Sequence, residues 1–266
     1  MYKYMYNFLK TIFLFSCLSF FSSDIFASAS PQRQYYVIRI YHIVNQQQIS
    51  VVDQYLQNAF LPALHRAGVE KVGVFHLIGN DTASDKRVFV LYNLKTLDKV
   101  EQVQNQIDKD KTFETTSKEF WNIAYDKAPY SRFETIILHA FEDMPLLEEP
   151  KLSNPRNERV YELRSYESAT EGLGRNKINM FNKGGEIKLF KSLNFNAVFY
   201  AEVVAGCKMP NLMYMTCFEN KAAREEHWKS FSNDPIWKNL SAMPVYQHNV
   251  SKADIFFLMP TEYSDF

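Results

Sequence analysis

From Tyr35 onward the chain alternates between two hydrophobic patterns. Short runs rich in β-branched and aromatic residues, bounded by turn formers, read as strands. Longer stretches with apolar residues three and four apart read as helices. The most pronounced feature is Asn194–Glu219, NFNAVFYAEVVAGCKMPNLMYMTCFE, where the apolar runs Ala197–Ala205 and Leu212–Phe218 flank a turn from Gly206 to Asn211. This spacing predicts a hairpin of two largely buried strands. Lys71–Gly79 and Arg87–Leu94 repeat the design earlier in the chain.

Each hairpin sits inside a longer repeat. Tyr35–Ile43 (YYVIRIYHI) and Val160–Glu167 (VYELRSYE) share Arg-x-Tyr, and each opens a unit that continues helix, hairpin, helical region, strand. In the first unit Val52, Tyr55, Leu56, Ala59, Ala63 and Ala67 predict a helix over about Ser50–Ala67, ended by Gly68 and kinked at Pro62. A second helical region covers about Leu97–Tyr125, broken near Thr112–Thr116, with Thr116 and Glu119 as a capping box; Arg132–Phe141 closes the unit. The second unit predicts a helix around Asn176–Ser192 interrupted at Gly184-Gly185, another over Lys221–Phe231 with Trp228 and Phe231 inward, and a closing strand at Ala253–Met259. Asp234-Pro235 is a helix start, aspartate capping and proline at the first helical position.

The expected class is therefore α+β: two ferredoxin-like β-α-β-β-α-β units, each a four-stranded sheet with helices on one face. The strands are apolar on both faces, so the second face of each sheet must also be covered. Packing the units sheet to sheet within one chain achieves this. The proline-rich segment 142–158 reads as the linker between a first domain at 35–141 and a second at 159–266.

The remaining composition adds an address and removes some partners. Residues 1–29 combine Lys3 and Lys10, an apolar run from Thr11 to Phe21 and Ala27-Ser28-Ala29, the pattern of a cleavable signal peptide. The run is shorter than the ~20 residues that span a bilayer, so export to a periplasmic or extracellular location is expected, with no stable membrane anchor after processing. Removing Lys3, Lys10 and Asp24 from 30 basic and 30 acidic side chains leaves 28 and 29, a balance that gives no reason to expect nucleic acid. Two cysteines would remain, Cys207 and Cys217. A turn centred near Met209 sets Cys217 opposite about Ala201 and predicts that the two stay unbonded.

Several stretches resemble NIPSNAP domains: FLPALHRAGVEKVGVFH at Phe60–His76, VYELRSY at Val160–Tyr166, MPNLMYMTCFEN at Met209–Asn220, HWKSFSNDPIWKNLS at His227–Ser241 and LMPTEYSDF at Leu258–Phe266. The first unit has Lys118-Glu119-Phe120-Trp121 where the second has Asp-Pro-x-Trp, so its second helix should differ. The resemblance implies tandem NIPSNAP domains of the dimeric α/β-barrel superfamily, both halves carried by one chain. It implies no settled activity.

The candidate chemistry is sparse. Glu162, Arg164 and Tyr166 alternate along one strand face, as do Arg39 and Tyr41. The opposite faces carry Tyr161 and Leu163, or Tyr36, Ile38 and Ile40, and suit helices. The charged row is therefore expected to face the barrel interior, with Arg164 paired by Glu162 or Glu202. It would serve either as a buried ion-pair network fixing how the halves dock or as an anchor for an anionic ligand. Trp228 and Trp237 could stack on such a ligand. His42, His65, His76, His139, His227 and His248 show no metal-ligand spacing, and no cofactor motif is present. The reading favoured is small-molecule or partner binding without catalysis, with homo-oligomerisation open. The alternative is an enzyme of the dimeric α/β-barrel type, oxygenase-like or haem-handling.

Overall fold

Eight antiparallel strands form the centre of the computed structural model, which describes residues 31–266 apart from Asp81. The signal peptide expected over residues 1–29 lies outside the described residues. The strands are β1 (Tyr35–Ile43), β2 (Val72–Leu77), β3 (Lys86–Leu94), β4 (Arg132–Ala140), β5 (Val160–Glu167), β6 (Ala197–Ala205), β7 (Asn211–Phe218) and β8 (Lys252–Pro260). They close into a barrel in the order β1-β3-β2-β8-β5-β7-β6-β4. Each unit thus contributes one four-stranded sheet, β4-β1-β3-β2 or β8-β5-β7-β6, and the units join edge to edge at β2–β8 and β4–β6.

The apolar-on-both-faces pattern is explained by this closure. One face of every strand points into a shared interior, where Tyr36, Phe75, Phe89, Tyr161, Phe199 and Leu258 form one buried cluster. Eight strands enclose a space that side chains just fill. The other face of each sheet packs under that unit's own helices, giving two separate outer cores.

In the first unit α1 (Gln46–Tyr55) starts at Asn45, whose side chain accepts from the Gln48 N–H at 2.9 Å. It widens into a π turn over Leu56–Phe60 and resumes as α2 (Leu61–Arg66). The widening falls one turn before Pro62, whose ring removes an N–H from the helical ladder. The second helical region is three short pieces, α3 (Lys99–Asp108), α4 (Lys111–Thr116) and α5 (Lys118–Trp121). The restart carrying Phe120 and Trp121 is α5, as the sequence suggested, but a first break comes earlier, before α4. Asp110 caps α4 by accepting from Thr112 and Phe113, while Thr116 donates back to Thr112 O and forms no capping box.

The second unit carries α6 (Glu171–Phe181), α7 (Glu186–Ser192), α8 (Lys221–Asn233) and α9 (Pro235–Ala242). The break between α6 and α7 needs both glycines. Gly185 adopts φ +88°, and a Cβ on Gly184 would lie 2.4 Å from the Met180 carbonyl. Asp234 caps α9 by accepting from Ile236 N at 2.7 Å, as Asp-Pro predicts. In the later hairpin Ala201 pairs with Met213 and Ala197 with Thr216, so the turn is centred two residues earlier than expected. Cys207 and Cys217 are both free thiols, one exposed in the turn and one buried in β7.

Two peripheral segments complete the seams. The β2–β8 seam has three paired positions, Phe75 to Leu77. The C-terminal tail continues it, with Asp265 N bonded to Val72 O and Ser264 Oγ accepting from Val74 N, which sets Phe266 against Phe75 and Tyr161. At the other seam Gln34 N donates to Pro145 O and Glu148 N to Val198 O, laying Leu147 against the interior cluster. Among the described residues no helix is long and apolar enough to cross a membrane.

Candidate functional site

The charged row of β5 faces the helices, and the interior expected for it belongs to Tyr161 and Leu163 instead. The reason is reach and partners. The barrel interior is packed with rings and apolar side chains, whereas α8 places the charged Arg224 and the indole N–H of Trp228 directly over Glu162. Arg224 Nε donates to Glu162 Oε2 at 2.7 Å, Arg224 Nη2 to Oε1 at 3.1 Å, Trp228 Nε1 to Oε2 at 3.0 Å and Arg164 Nε to Oε1 at 2.6 Å. The Glu162 side chain is fully buried. Burial alone would raise its pKa, but the hydrogen bonds and charges of Arg224 and Arg164 outweigh it and hold the carboxyl below the usual range.

Arg164 is fixed on every side. Its guanidinium lies 3.6 Å from the Trp228 ring centre, and Nη1 donates to Tyr166 Oη at 2.9 Å, which in turn bonds Tyr214 Oη at 2.9 Å. The network ties α8 to β5 within the second unit. It does not dock the two halves onto each other, because no group in it comes from the first unit. Nearby, Lys177 of α6 donates to Glu186 of α7 at 2.8 Å in a pair almost wholly shielded from solvent. Desolvation pushes the Glu186 carboxyl up, and the Lys177 charge opposes it. Trp237 packs on Phe231 at 4.4 Å and sits beyond Lys177, as part of the outer core. The space over Arg164 is thus filled by the second unit's own side chains.

The first unit places Arg39 at the position of Arg164. The two strands start in the same register, Tyr35 against Leu94 and Val160 against Phe218, so Val37 stands where the second unit has Glu162. Val37 is wholly buried and apolar. No carboxylate pairs with Arg39 among the described residues, and its buried Nε has no hydrogen-bond partner. Its guanidinium lies over the rings of Phe60 and Phe133, at 4.7 and 5.2 Å. Desolvation works against this charge, but the phenols of Tyr41, Tyr92 and Tyr55 outweigh it and keep the group above the usual arginine range. Burial raises the Tyr41 and Tyr55 phenols in turn.

Over Arg39 opens a cleft of about 610 Å³ walled by Tyr41, Tyr55, Phe120, Trp121, Tyr130 and Phe133. Tyr55 stacks on Phe120 at 3.9 Å and Tyr41 meets Tyr130 edge-on at 5.5 Å, so the walls are pre-packed. Trp121 and Tyr125 line the same cleft and are exposed.

Glu162, Arg164, Tyr166 and Trp228 therefore come together as one cluster, Trp237 lies at its margin, and Arg39 and Tyr41 form a second site in the other unit. Sequence reasoning missed Arg224 and the Lys177–Glu186 pair. Arg224 had a signal, since it precedes Trp228 by four residues and shares its helix face. The histidines do not converge. His42 bonds Glu134 at 2.7 Å and Asp85 at 3.0 Å, His76 bonds Asp53 at 2.9 Å, and His139 stacks on Tyr35. Among the described residues no three His, Cys, Asp or Glu side chains gather as a metal site.

The NIPSNAP family model matches residues 161–265, from the second strand position of β5 to the C-terminal tail. The second unit is a NIPSNAP domain. The match leaves out the first unit, which shares the order of elements and the Arg-x-Tyr strand with that NIPSNAP domain. Among curated proteins none matches the chain. Solved structures share its fold. One is a proposed monooxygenase from Lactobacillus acidophilus, 12% identical, with a TM-score of 0.55 over 86% of this chain and 94% of that one. Another is a proposed monooxygenase from Fusobacterium nucleatum, 5% identical, with a TM-score of 0.56 over 86% and 92%. A third is an anthrone oxidase-like protein, 7% identical, with a TM-score of 0.52 over 87% and 93%. The fold is that of the dimeric α/β barrels, with both four-stranded sheets supplied by one chain.

Proposed function

We propose that this chain is an exported NIPSNAP-like protein that binds a small organic molecule in the first-unit cleft and does not transform it. The observation that carries the reading is the cleft: an aromatic-walled space of about 610 Å³ over a partly buried arginine, beside a sister unit whose corresponding space is occupied by its own side chains. Concave, mostly apolar sites with a few placed polar groups are where small ligands bind. General acid–base work needs a group titrating near the working pH. The cleft lining holds no carboxylate, imidazole or thiol, and burial moves Tyr41 and Tyr55 further from neutrality. Export is part of the proposal on the strength of Lys3, Lys10, the apolar run and Ala27-Ser28-Ala29.

The structural relatives described as monooxygenases or anthrone oxidase-like bring an oxidative alternative, in which an aromatic substrate supplies its own reactivity. Native mass spectrometry of protein purified from its own host, with an absorption spectrum and oxygen uptake, separates the two. A retained organic molecule released unchanged, from a chain beginning near Ser30, supports binding and export. Turnover of that molecule with oxygen consumption overturns the binding reading.

A further inference from the structure

We propose that the first-unit cleft takes a planar aromatic carboxylic acid, its carboxylate on Arg39 and its ring against the aromatic walls. The proposal deepens the binding reading above and rests on it. The ligand class follows from what the protein does with the same arginine in its other half. Arg164, in the same strand register, receives a carboxylate at 2.6 Å on its Nε, supplied by Glu162 two residues away. In the first unit that carboxylate is replaced by Val37, and the Nε of Arg39 is buried without an acceptor. A buried donor left unmade carries a free-energy cost that an incoming acceptor removes.

The orientation of the guanidinium narrows the class. The guanidinium carbon already sits over the rings of Phe60 and Phe133, at 4.7 and 5.2 Å, and guanidinium N–H groups point outward in its own plane. The acceptor must therefore arrive at the edge, where a carboxylate bonds as a fork. One positive charge stands there without a paired carboxylate, which matches a monoanion; a dianionic phosphate would leave one charge buried and uncompensated. Most of the wall is aromatic, with Tyr41, Tyr55, Phe120, Trp121 and Tyr130, and Gln104 adds one neutral polar group. Such a wall suits a flat unsaturated body stacking or meeting it edge-on.

The test is a titration of the full chain, followed by Trp121 fluorescence and calorimetry, with three probes of one shape: 2-naphthoate, the neutral 2-naphthalenemethanol and 2-naphthyl phosphate. Because the other tryptophans also emit, Trp121→Phe assigns the fluorescence change to the cleft. The expected result is that 2-naphthoate binds roughly ten- to a hundred-fold more tightly than the neutral alcohol, the range of a charge-assisted hydrogen bond. Arg39→Gln should erase that preference while leaving the alcohol's affinity within about two-fold. Equal binding of acid and alcohol to the unaltered protein overturns the carboxylate assignment and leaves the cleft reading standing. Tighter binding of the phosphate also overturns it. If no probe binds, both the assignment and the cleft reading fall.

Discussion

The two units of this barrel place an arginine at the same point of the same strand and give it opposite surroundings. In the second unit Arg164 is bonded to Glu162 and Tyr166 and covered by Trp228, and the whole assembly locks a helix onto the sheet. In the first unit Arg39 has no carboxylate, and the helical layer above it is broken into short pieces that leave a cleft. At the position where the second unit has Glu162 the first has Val37, so one arginine is ion-paired and the other is not. On the proposed binding reading, a repeated fold divides its labour, one copy keeping the scaffold rigid and the other carrying the site.

The largest expected effect comes from separating the units. Residues 159–266 expressed alone would bare the unpaired edges β6 and β8 and the apolar face now shared in the interior. Such a fragment should aggregate or self-associate. Gel filtration with light scattering checks this, and a soluble, cooperatively folded monomer would show that the second unit's outer core is sufficient.

Next comes Glu162→Gln, which leaves Arg164 and Arg224 without their shared carboxylate. Breaking a buried ion pair this way costs about 3–5 kcal/mol, read as a lower urea midpoint. The same group sets a pH dependence. Its folded pKa is depressed, so its contribution is present above the unfolded value of ~4.3 and is lost as pH falls through the folded value. Acid unfolding of the native chain should show this loss, and the Glu162→Gln variant should lack that part of the slope. Arg39→Gln should matter least to folding, within about 1 kcal/mol, because no ion pair is broken. A loss matching that of Glu162→Gln would mean that Arg39 holds the fold as firmly as an ion-paired arginine and that the contrast between the units is wrong.

The strands were legible because period-two apolar patterning and the turn residues agree, and β1, β5 and β6 have the limits read from the sequence. The facing of the charged row was not. When both faces of a strand are apolar, alternation says which residues share a face but not which face is enclosed. Tyr161 and Leu163 would suit helices as well as an interior; only the closure of eight strands assigns them inward. The partners of the site were hidden by distance along the chain, Glu162 and Arg224 being 62 residues apart. The first-unit cleft depends on short helices whose breaks at Asp110 and Ser117 carry ordinary polar residues, with no glycine or proline to announce them. Yet its decisive feature was readable: aligning the two Arg-x-Tyr strands sets Val37 against Glu162.

That difference also supplies the most direct test of the account. Val37→Glu installs in the first unit the carboxylate that the second already has, two residues before Arg39 on the same strand face. The 2-naphthoate titration of the Val37→Glu variant, run beside the neutral alcohol, measures whether an internal carboxylate replaces the external one. The acid's advantage should disappear while the alcohol still binds. Undiminished preference for 2-naphthoate in a folded Val37→Glu variant would contradict this.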